Sequence, residues 1–370
     1  MKILVVYASA GAGHYKAAEA IYHCFRQNHK ETEARLVDVL DYTSLLEKLS
    51  YTFGYTFLIN HALFLWSFFF WLTEVKPLRS LTKAAALFFD RLSTKKFQRL
   101  LISEKPDFIF STHFMTSEIA VWLKEKKKIS SKIITSITDF GVHPFWVYKD
   151  TDLYVVASEI TKKELINQGV SEEIIDVLGI PIGEKFTREY EKLSLCQKLG
   201  IDHNKFTVLI VTGSFGLGPI EEVVELLHLD AQLLVVCARN KKLFAKLTKE
   251  KYPNCFVYGF VDNVHELMSV SDCIITKPGG LTIAEILVSG IVPIFISAIP
   301  GQEIGNINAL KKLGIGEYPQ NLSQIKNIIL DFKSSPEKLN LMKERIAAVK
   351  KPGAAGVCNV IRKGCFRPSN

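Results

Sequence analysis

The stretch Met1-Lys2-Ile3-Leu4-Val5-Val6-Tyr7-Ala8-Ser9-Ala10-Gly11-Ala12-Gly13-His14 sets a pattern that the rest of the chain repeats. Ile3–Tyr7 is a short apolar run rich in β-branched residues, as expected of a strand buried on both faces. It lacks the longer apolar core and small-residue cleavage site of a signal peptide. Small residues and two glycines follow, and helical sequence begins near Tyr15. A strand passing through a glycine turn into a helix is the first half of a parallel β-α-β unit.

Working outward, runs of the same kind occur at Arg35–Val39, Phe108–Ser111, Ile133–Ile137 and Leu153–Ala157, separated by helix-length segments. Leu178-Gly179-Ile180-Pro181-Ile182-Gly183 places turn formers on both sides of a proline and reads as a hinge. Alternation restarts at Thr207–Val211, Gln232–Cys237, Cys255–Tyr258, Cys273–Thr276 and Val292–Ile296. The reading is an α/β chain of two doubly wound, Rossmann-like domains, 1–183 and 184–345, with a C-terminal segment 346–370 packing back on the first. In such sheets ligands bind beyond the carboxyl ends of the strands, so the loops after these runs carry the chemistry.

Composition narrows the partners. With 370 residues, 48% hydrophobic and 23% charged, the chain buries enough apolar surface for two cores. Lys and Arg exceed Asp and Glu by 46 to 38, too mild an excess for a nucleic-acid binder but suited to an anionic membrane or a phosphorylated ligand. Seven cysteines, an odd number with no C-x-x-C pair, argue for reduced thiols in a cytosolic compartment and against a zinc site. Phe57–Leu72 is intensely apolar and aromatic, with Phe64, Trp66 and Trp71 in it, yet Asn60 and His61 interrupt it. A spanning helix needs about 20 apolar residues, so an interfacial or buried helix is expected.

The loops themselves are distinctive. Gly11 and Gly13 let backbone approach a ligand at a helix N-terminus, and His14 stands there as a general-base candidate. A tight turn without ligand is the alternative. Thr138-Asp139-Phe140-Gly141-Val142-His143-Pro144-Phe145-Trp146 brings a carboxylate, an imidazole and aromatic rings to one strand end, with Asp139 placed to orient or charge-stabilise a catalytic histidine and Phe145 and Trp146 to line an acyl or sugar pocket; a capped loop with aromatic core plugs is the alternative. Thr212-Gly213-Ser214-Phe215-Gly216-Leu217-Gly218-Pro219 suits a phosphate cradle, with Pro219 as first helical residue. It lacks a P-loop lysine and the G-x-G-x-x-G spacing, which disfavours NTP hydrolysis and dinucleotide binding. Lys277-Pro278-Gly279-Gly280-Leu281-Thr282-Ile283-Ala284-Glu285 offers a carboxylate for a ribose diol, or alternatively a capping box from Thr282 to Glu285. Gly301-Gln302-Glu303 and Asn306 add amide and carboxylate groups for sugar hydroxyls. Asp150-Thr151-Asp152 spells D-x-D but precedes a strand and reads as a turn, so leaving-group charge falls to backbone N–H groups, helix dipoles and Arg239.

Gly11-Ala12-Gly13-His14, the T-D-F run with His143 and Trp146, Gly216-Leu217-Gly218-Pro219-Ile220, and Lys277 through Glu285 joined to Gly301-Gln302-Glu303 and Asn306 resemble, in order and spacing, the monogalactosyl- and glucosyl-diacylglycerol synthase family. The resemblance implies the GT-B fold, two domains facing a central cleft, and inverting transfer of a hexose from UDP-glucose or UDP-galactose to diacylglycerol, without metal or other cofactor. It implies donor contacts from Gly213, Gly216, Arg239, Phe260, Val261, Gly279, Gly280, Thr282, Glu285, Gln302, Glu303 and Asn306, with Glu285 on ribose and Gln302 and Glu303 on the hexose. His14 and Asp139 are then catalytic, while Gly11, Gly13, His143, Trp146, Phe64, Trp66 and Trp71 serve the acceptor or the membrane. Ser214-Phe215 departs from the more continuous glycine of the family's phosphate loop. The aromatic segment, with Lys76, Arg79, Lys83, Arg91, Lys95, Lys96 and Arg99, implies peripheral attachment to anionic lipids at the cytoplasmic side of a membrane. Three other readings stay open: an N-acetylglucosamine transferase acting on a lipid-linked cell-wall precursor, a UDP-sugar epimerase, and a non-catalytic UDP-sugar sensor.

Overall fold

The computed structural model describes residues 1–9, 11–44, 48–49, 62–75, 77–351 and 353–364. The chain forms two compact units. One comprises Met1–Gly183, Ile299–Gly305 and the segment from Lys351 onward; the other comprises Glu184–Ala298 and Asn306–Lys350.

The first unit runs β1 (Lys2–Tyr7), α1 (Ala12–Asn28), β2 (Glu33–Asp38), α2 (Leu63–Glu74), α3 (Arg79–Ser93), α4 (Lys95–Glu104), β3 (Phe108–Ser111), α5 (Phe114–Glu125), β4 (Lys132–Ser136), β5 (Leu153–Val155), α6 (Glu159–Asn167) and β6 (Ile175–Asp176). Its described strands pair in parallel in the order β2-β1-β3-β4-β5-β6. Alternation along β1 feeds two cores. Leu4 and Val6 pack with α4 and α5, while Ile3 and Val5 pack with α1, and all four are fully buried. The strand order reverses between β1 and β3, which makes their carboxyl ends the binding crevice of this sheet.

The second unit contains α7 (Lys192–Leu199), β7 (Thr207–Val211), α8 (Ile220–Leu227), β8 (Gln232–Val236), α9 (Lys241–Glu250), β9 (Cys255–Tyr258), α10 (Val264–Val270), β10 (Cys273–Thr276), α11 (Gly280–Ser289), β11 (Val292–Phe295), most of α12 (Gln302–Lys312), α13 (Leu322–Ser334) and α14 (Pro336–Val349). Its order, β11-β10-β7-β8-β9, reverses between β7 and β10. The last helix, α15 (Ala354–Lys363), returns to the first unit, where Val357, Cys358 and Ile361 are buried with Ala18 and Ile21 of α1. β3, β7, β9 and β10 have the limits read from the sequence, and the other strands in that reading differ by one or two residues at one or both ends. The two-residue β6 is too short for the sequence pattern to single out.

Helix α2 has 12 residues, so it is about 18 Å long against the roughly 30 Å of a bilayer core. No described helix is long and apolar enough to cross a membrane. Phe57–His61 of the aromatic segment, and the Trp66 side chain, lie outside the described residues. Phe64 is 80% exposed and Trp71 56%. Helix α3 is amphipathic with its apolar side outward: Leu81, Phe88, Phe89 and Leu92 are all exposed. Its buried residue is Asp90, which meets Glu118 of α5 in a carboxyl–carboxyl hydrogen bond. Burial, then the charge and hydrogen bond of Asp90, push Glu118 up to about 8.

Because folding favours protonated Glu118, its contribution to stability is complete below its ordinary value of 4.5 and is lost as the pH rises through about 8. Glu118→Gln keeps a hydrogen-bond donor and removes the titration. Melting curves at pH 6 and pH 9 are expected to show a fall for the wild type that the variant lacks; equal falls in both refute the shared proton.

Candidate active site

In the first unit, His14 lies in the opening turn of α1. Its Nδ1 donates to the carbonyl of Thr112, just beyond β3, at 2.6 Å, and is 3.0 Å from the Thr138 hydroxyl beyond β4. A carbonyl only accepts, so the proton sits on Nδ1 and the Nε2 lone pair is left to act as a base. No described residue bonds Nε2. Thr112 also donates its hydroxyl to the His14 carbonyl at 2.9 Å, locking loop to helix from both sides. Burial pulls the His14 pKa below its ordinary value, opposed by the charge of Asp139 and the Thr112 bond. A neutral imidazole beside a carboxylate is a base whose conjugate acid is stabilised as it forms.

Asp139 accepts from Gln302 Nε2 at 3.2 Å. Gln302 and Glu303 are placed with the first unit rather than with the loops of the second. Ile299–Gly305 belongs to the first unit, Gln302 is bonded to Asp139, and Glu303 closes its own loop by accepting from the Ile299 N–H at 2.7 Å. Gly305 backbone lies 3.3 Å from where a side chain on Gly141 would begin, and Gly301 (φ +96°) faces the Phe70 ring.

His143 caps the short turn Pro144–Trp146, its Nδ1 accepting from the Phe145 N–H at 3.3 Å. Its Nε2 lies 2.8 Å from the Thr73 hydroxyl of α2, and its ring is 4.8 Å from Phe70. Burial, with Lys83 and Arg79 nearby, lowers it to about 4. Trp146, expected to line an acceptor pocket, is instead core: 2% exposed, packed with Ile137 and Tyr154, its ring 6.4 Å from His14. Gly11 is extended (φ −166°) with open space around it, so its value is access rather than conformation.

The second unit gathers the loops beyond β7, β8 and β10. Arg239 N–H donates to the Ser214 carbonyl at 3.3 Å, and Asn240 Nδ2 to the Gly216 carbonyl at 3.0 Å. Gly213, Gly216 and Gly218 all have positive φ. The Arg239 guanidinium stands 5.9 Å from the rings of both Phe215 and Phe260, which are exposed. Ser214-Phe215 therefore adds an aromatic face to this loop. Val261 is half-buried beside Phe260. Helix α11 begins at Gly280 with Gly279 as N-cap, which places Thr282 and Glu285 inside the helix and removes the capping-box alternative. Pro219 is the N-cap of α8 rather than its first residue. Asn306, read as a sugar contact, is fully buried with Nδ2 bonded to the Pro278 carbonyl at 3.0 Å, and so supports the 277–280 turn.

Asp152 of the D-x-D pairs with Lys124 and, at 3.0 Å, with Lys132, and its Oδ2 accepts from the Ile133 N–H. It is a structural bracket between β4 and β5. Among the described residues no cluster of three metal-ligating side chains occurs. The loop Thr112-His113-Phe114 went unremarked in the sequence, although it follows a strand that the sequence reading located.

Two parallel sheets with binding loops at both switch points define the GT-B class of glycosyltransferases, and solved structures agree. MurG of Acinetobacter baumannii superposes with a TM-score of 0.60 at 14% identity over 98% of this chain and 99% of that one. Anabaena HepE in complex with UDP-glucose gives 0.57 at 13% identity over the same shares. At these identities the likeness is one of fold. The monogalactosyldiacylglycerol synthase model matches residues 14–182, and the glycosyltransferase family 28 C-terminal domain matches 207–355. A processive diacylglycerol β-glucosyltransferase of Bacillus cereus is 31% identical over 96% of this chain and 91% of its own length. Monogalactosyldiacylglycerol synthase 1 of Arabidopsis thaliana is 31% identical over 95% and 69%. The chain belongs to this family of diacylglycerol glycosyltransferases, and it is a hexosyltransferase.

Gly216 combines φ +59° with the Cys237 carbonyl oxygen 2.1 Å from any added Cβ. Gly216→Ala is expected to cost about 2 kcal/mol or more, lowering the melting temperature and weakening UDP binding measured by calorimetry. A variant matching the wild type in both would show that the loop is not held as described.

Proposed function

We propose that the protein transfers glucose or galactose from the UDP-sugar to the hydroxyl of diacylglycerol, with inversion and without a metal ion. The observation that carries this reading is the His14 geometry: a neutral imidazole with Nδ1 committed to Thr112, Nε2 left as base, and a carboxylate nearby. As the acceptor oxygen attacks the anomeric carbon, its proton passes to Nε2, and the bond from that carbon to the UDP oxygen breaks. Asp139 stabilises the imidazolium, and the UDP leaving group takes up the negative charge. Burial keeps His14 neutral before the reaction while Asp139 favours the charged form produced in it, so the assistance grows toward the transition state. In the second unit, the N–H groups of the glycine loop, the start of α11 and Arg239 supply the positive potential that a metal provides elsewhere. Glu285 takes the ribose diol.

The acceptor reaches the enzyme from a bilayer, and the surface of α2 and α3 fits that route. Phe64, Phe68, Trp71, Leu81, Phe88, Phe89 and Leu92 are exposed apolar residues on two adjacent helices, with Lys95, Lys96 and Arg99 exposed beyond them. Lys83 does not belong to the cationic set, since it turns inward to the Val147 carbonyl at 3.0 Å, and Arg91 stacks 4.0 Å over Trp122. The bound surface is an anionic leaflet, and the donor is cytoplasmic.

Two experiments test these readings. His14→Ala, assayed in EDTA with UDP-glucose, UDP-galactose and diacylglycerol and read by lipid mass spectrometry, is expected to lose roughly 100- to 10,000-fold in kcat. Undiminished transfer excludes the base, and wild-type activity abolished by EDTA excludes the metal-free mechanism. In vesicle flotation, Trp71→Ser and Phe88→Ser are each expected to weaken partitioning onto anionic vesicles about tenfold, from the loss of one buried aromatic ring. Flotation equal to wild type places the docking surface elsewhere.

A further inference from the structure

The ring of His113 has no part in the proton transfer above, yet its position is strongly determined. Its backbone is held from below by a cluster of buried hydroxyls. Ser111 Oγ and Thr116 Oγ1 both donate to the His113 carbonyl, at 2.9 and 2.8 Å. Ser117 Oγ bonds Ser111 Oγ at 2.8 Å, and Thr135 Oγ1 of β4 bonds Ser117 Oγ at 3.0 Å. All four hydroxyl residues are fully buried. The side chain is the N-cap of α5, with Nδ1 accepting from the Met115 N–H at 3.2 Å. The ring stacks on Phe114 at 4.3 Å and meets His14 edge to face, centroids 4.7 Å apart at 78°. His113 itself is only 2% exposed.

We propose that His113 is a positioning residue for His14: fixed by the α5 cap and the hydroxyl cluster, its ring braces the His14 imidazole in the one orientation that directs Nδ1 to Thr112. Edge-to-face packing resists rotation of the His14 ring, and a slipped ring would exchange the roles of its two nitrogens. The brace also keeps water from one face of His14. The capping bond requires an unprotonated Nδ1, and burial together with the charge of His14 holds His113 well below the ordinary histidine range. The brace is therefore uncharged whenever His14 takes up a proton, and no like charge opposes that step. The other groups around His14 are Asp139, from the loop beyond β4, and the uncharged Thr112, Thr138 and Trp146. On its own helix, Lys16 and Glu19 pair with each other at 2.7 Å.

This inference rests on the reading of His14 as the base, and two variants separate it from a purely structural role. His113→Asn keeps a good N-cap acceptor and removes the ring; His113→Phe keeps the ring and removes the acceptor. In His113→Asn, kcat is expected to fall about 10- to 100-fold with little change in either KM, as for a misplaced catalytic group. The His14 imidazole, titrated by NMR without substrate, is expected to shift upward by roughly one unit as water reaches it, and the acid limb of kcat/KM should move with it. His113→Phe is expected to melt lower but to keep most of its kcat. An unchanged His14 titration in His113→Asn overturns the proposal, as does a kcat in His113→Phe as low as in His113→Asn. Because the titration needs no turnover, it reports on the brace even if His14→Ala remains active and the base reading fails.

Discussion

The hydrogen bond from His14 Nδ1 to the Thr112 carbonyl is the constraint on which the loops beyond β1 and β3 depend. It exists because β1 and β3 are neighbours although β2 comes between them in sequence. Val6 opposite Ser111 ends the ladder, and the Thr112 N–H extends it by one bond to the Val6 carbonyl at 3.1 Å. Thr112 is therefore fixed to the rigid sheet, and His14 is fixed to Thr112. A base positioned by a sheet rather than by a mobile loop loses little orientational freedom at the moment of reaction. The same bond selects the tautomer, so geometry and chemistry are decided together.

The second sheet solves a different problem with the same topology. Its reversal between β7 and β10 brings together loops that present backbone rather than side chains, and backbone requires unusual dihedrals. Gly213, Gly216 and Gly218 supply them. Ala238 and Ser297 also hold positive φ without being glycine, at 50° and 53°, immediately beyond β8 and β11. Residues other than glycine in that region store strain, and here they sit at strand ends facing the binding loops. A phosphate-loop pattern does not foretell the Arg239 guanidinium between Phe215 and Phe260, since the cation and the two rings come from three loops.

This difference explains what the sequence made legible. Strands were readable because apolar β-branched runs buried on both faces have no other stable use, and glycine turns after them mark the loops. His14 and Asp139 stand out in the sequence because each lies in a loop with several unusual residues at once. Thr112 and His113 do not, because Ser111-Thr112-His113-Phe114 has no glycine and resembles ordinary capping sequence. Their roles come from strand order, which local patterns do not encode. Gln302 follows second-domain strands in sequence, yet its side chain is bonded to Asp139, a pairing that local patterns do not announce. Trp146 takes the core-plug alternative, because an aromatic residue in such a loop looks the same in sequence whether it lines a pocket or fills a core.

One chain of contacts runs from the aromatic helix to the Asp139 carboxylate. Phe70 of α2 lies against Gly301, where any side chain would collide with its ring, and one residue further on Gln302 holds Asp139. On the other side, the Thr73 hydroxyl donates to the Phe70 carbonyl at 2.6 Å and takes the proton of His143 Nε2 at 2.8 Å. That donor direction follows from the Phe145 N–H, which occupies His143 Nδ1 and leaves the ring proton on Nε2. Burial lowers His143 to about 4, so the tie between α2 and the Asp139 loop is uncharged near neutral pH. Through these short contacts α2, whose outer face carries Phe64 and Trp71, is packed against both the Gly301–Gln302 turn and the loop from Asp139 to His143.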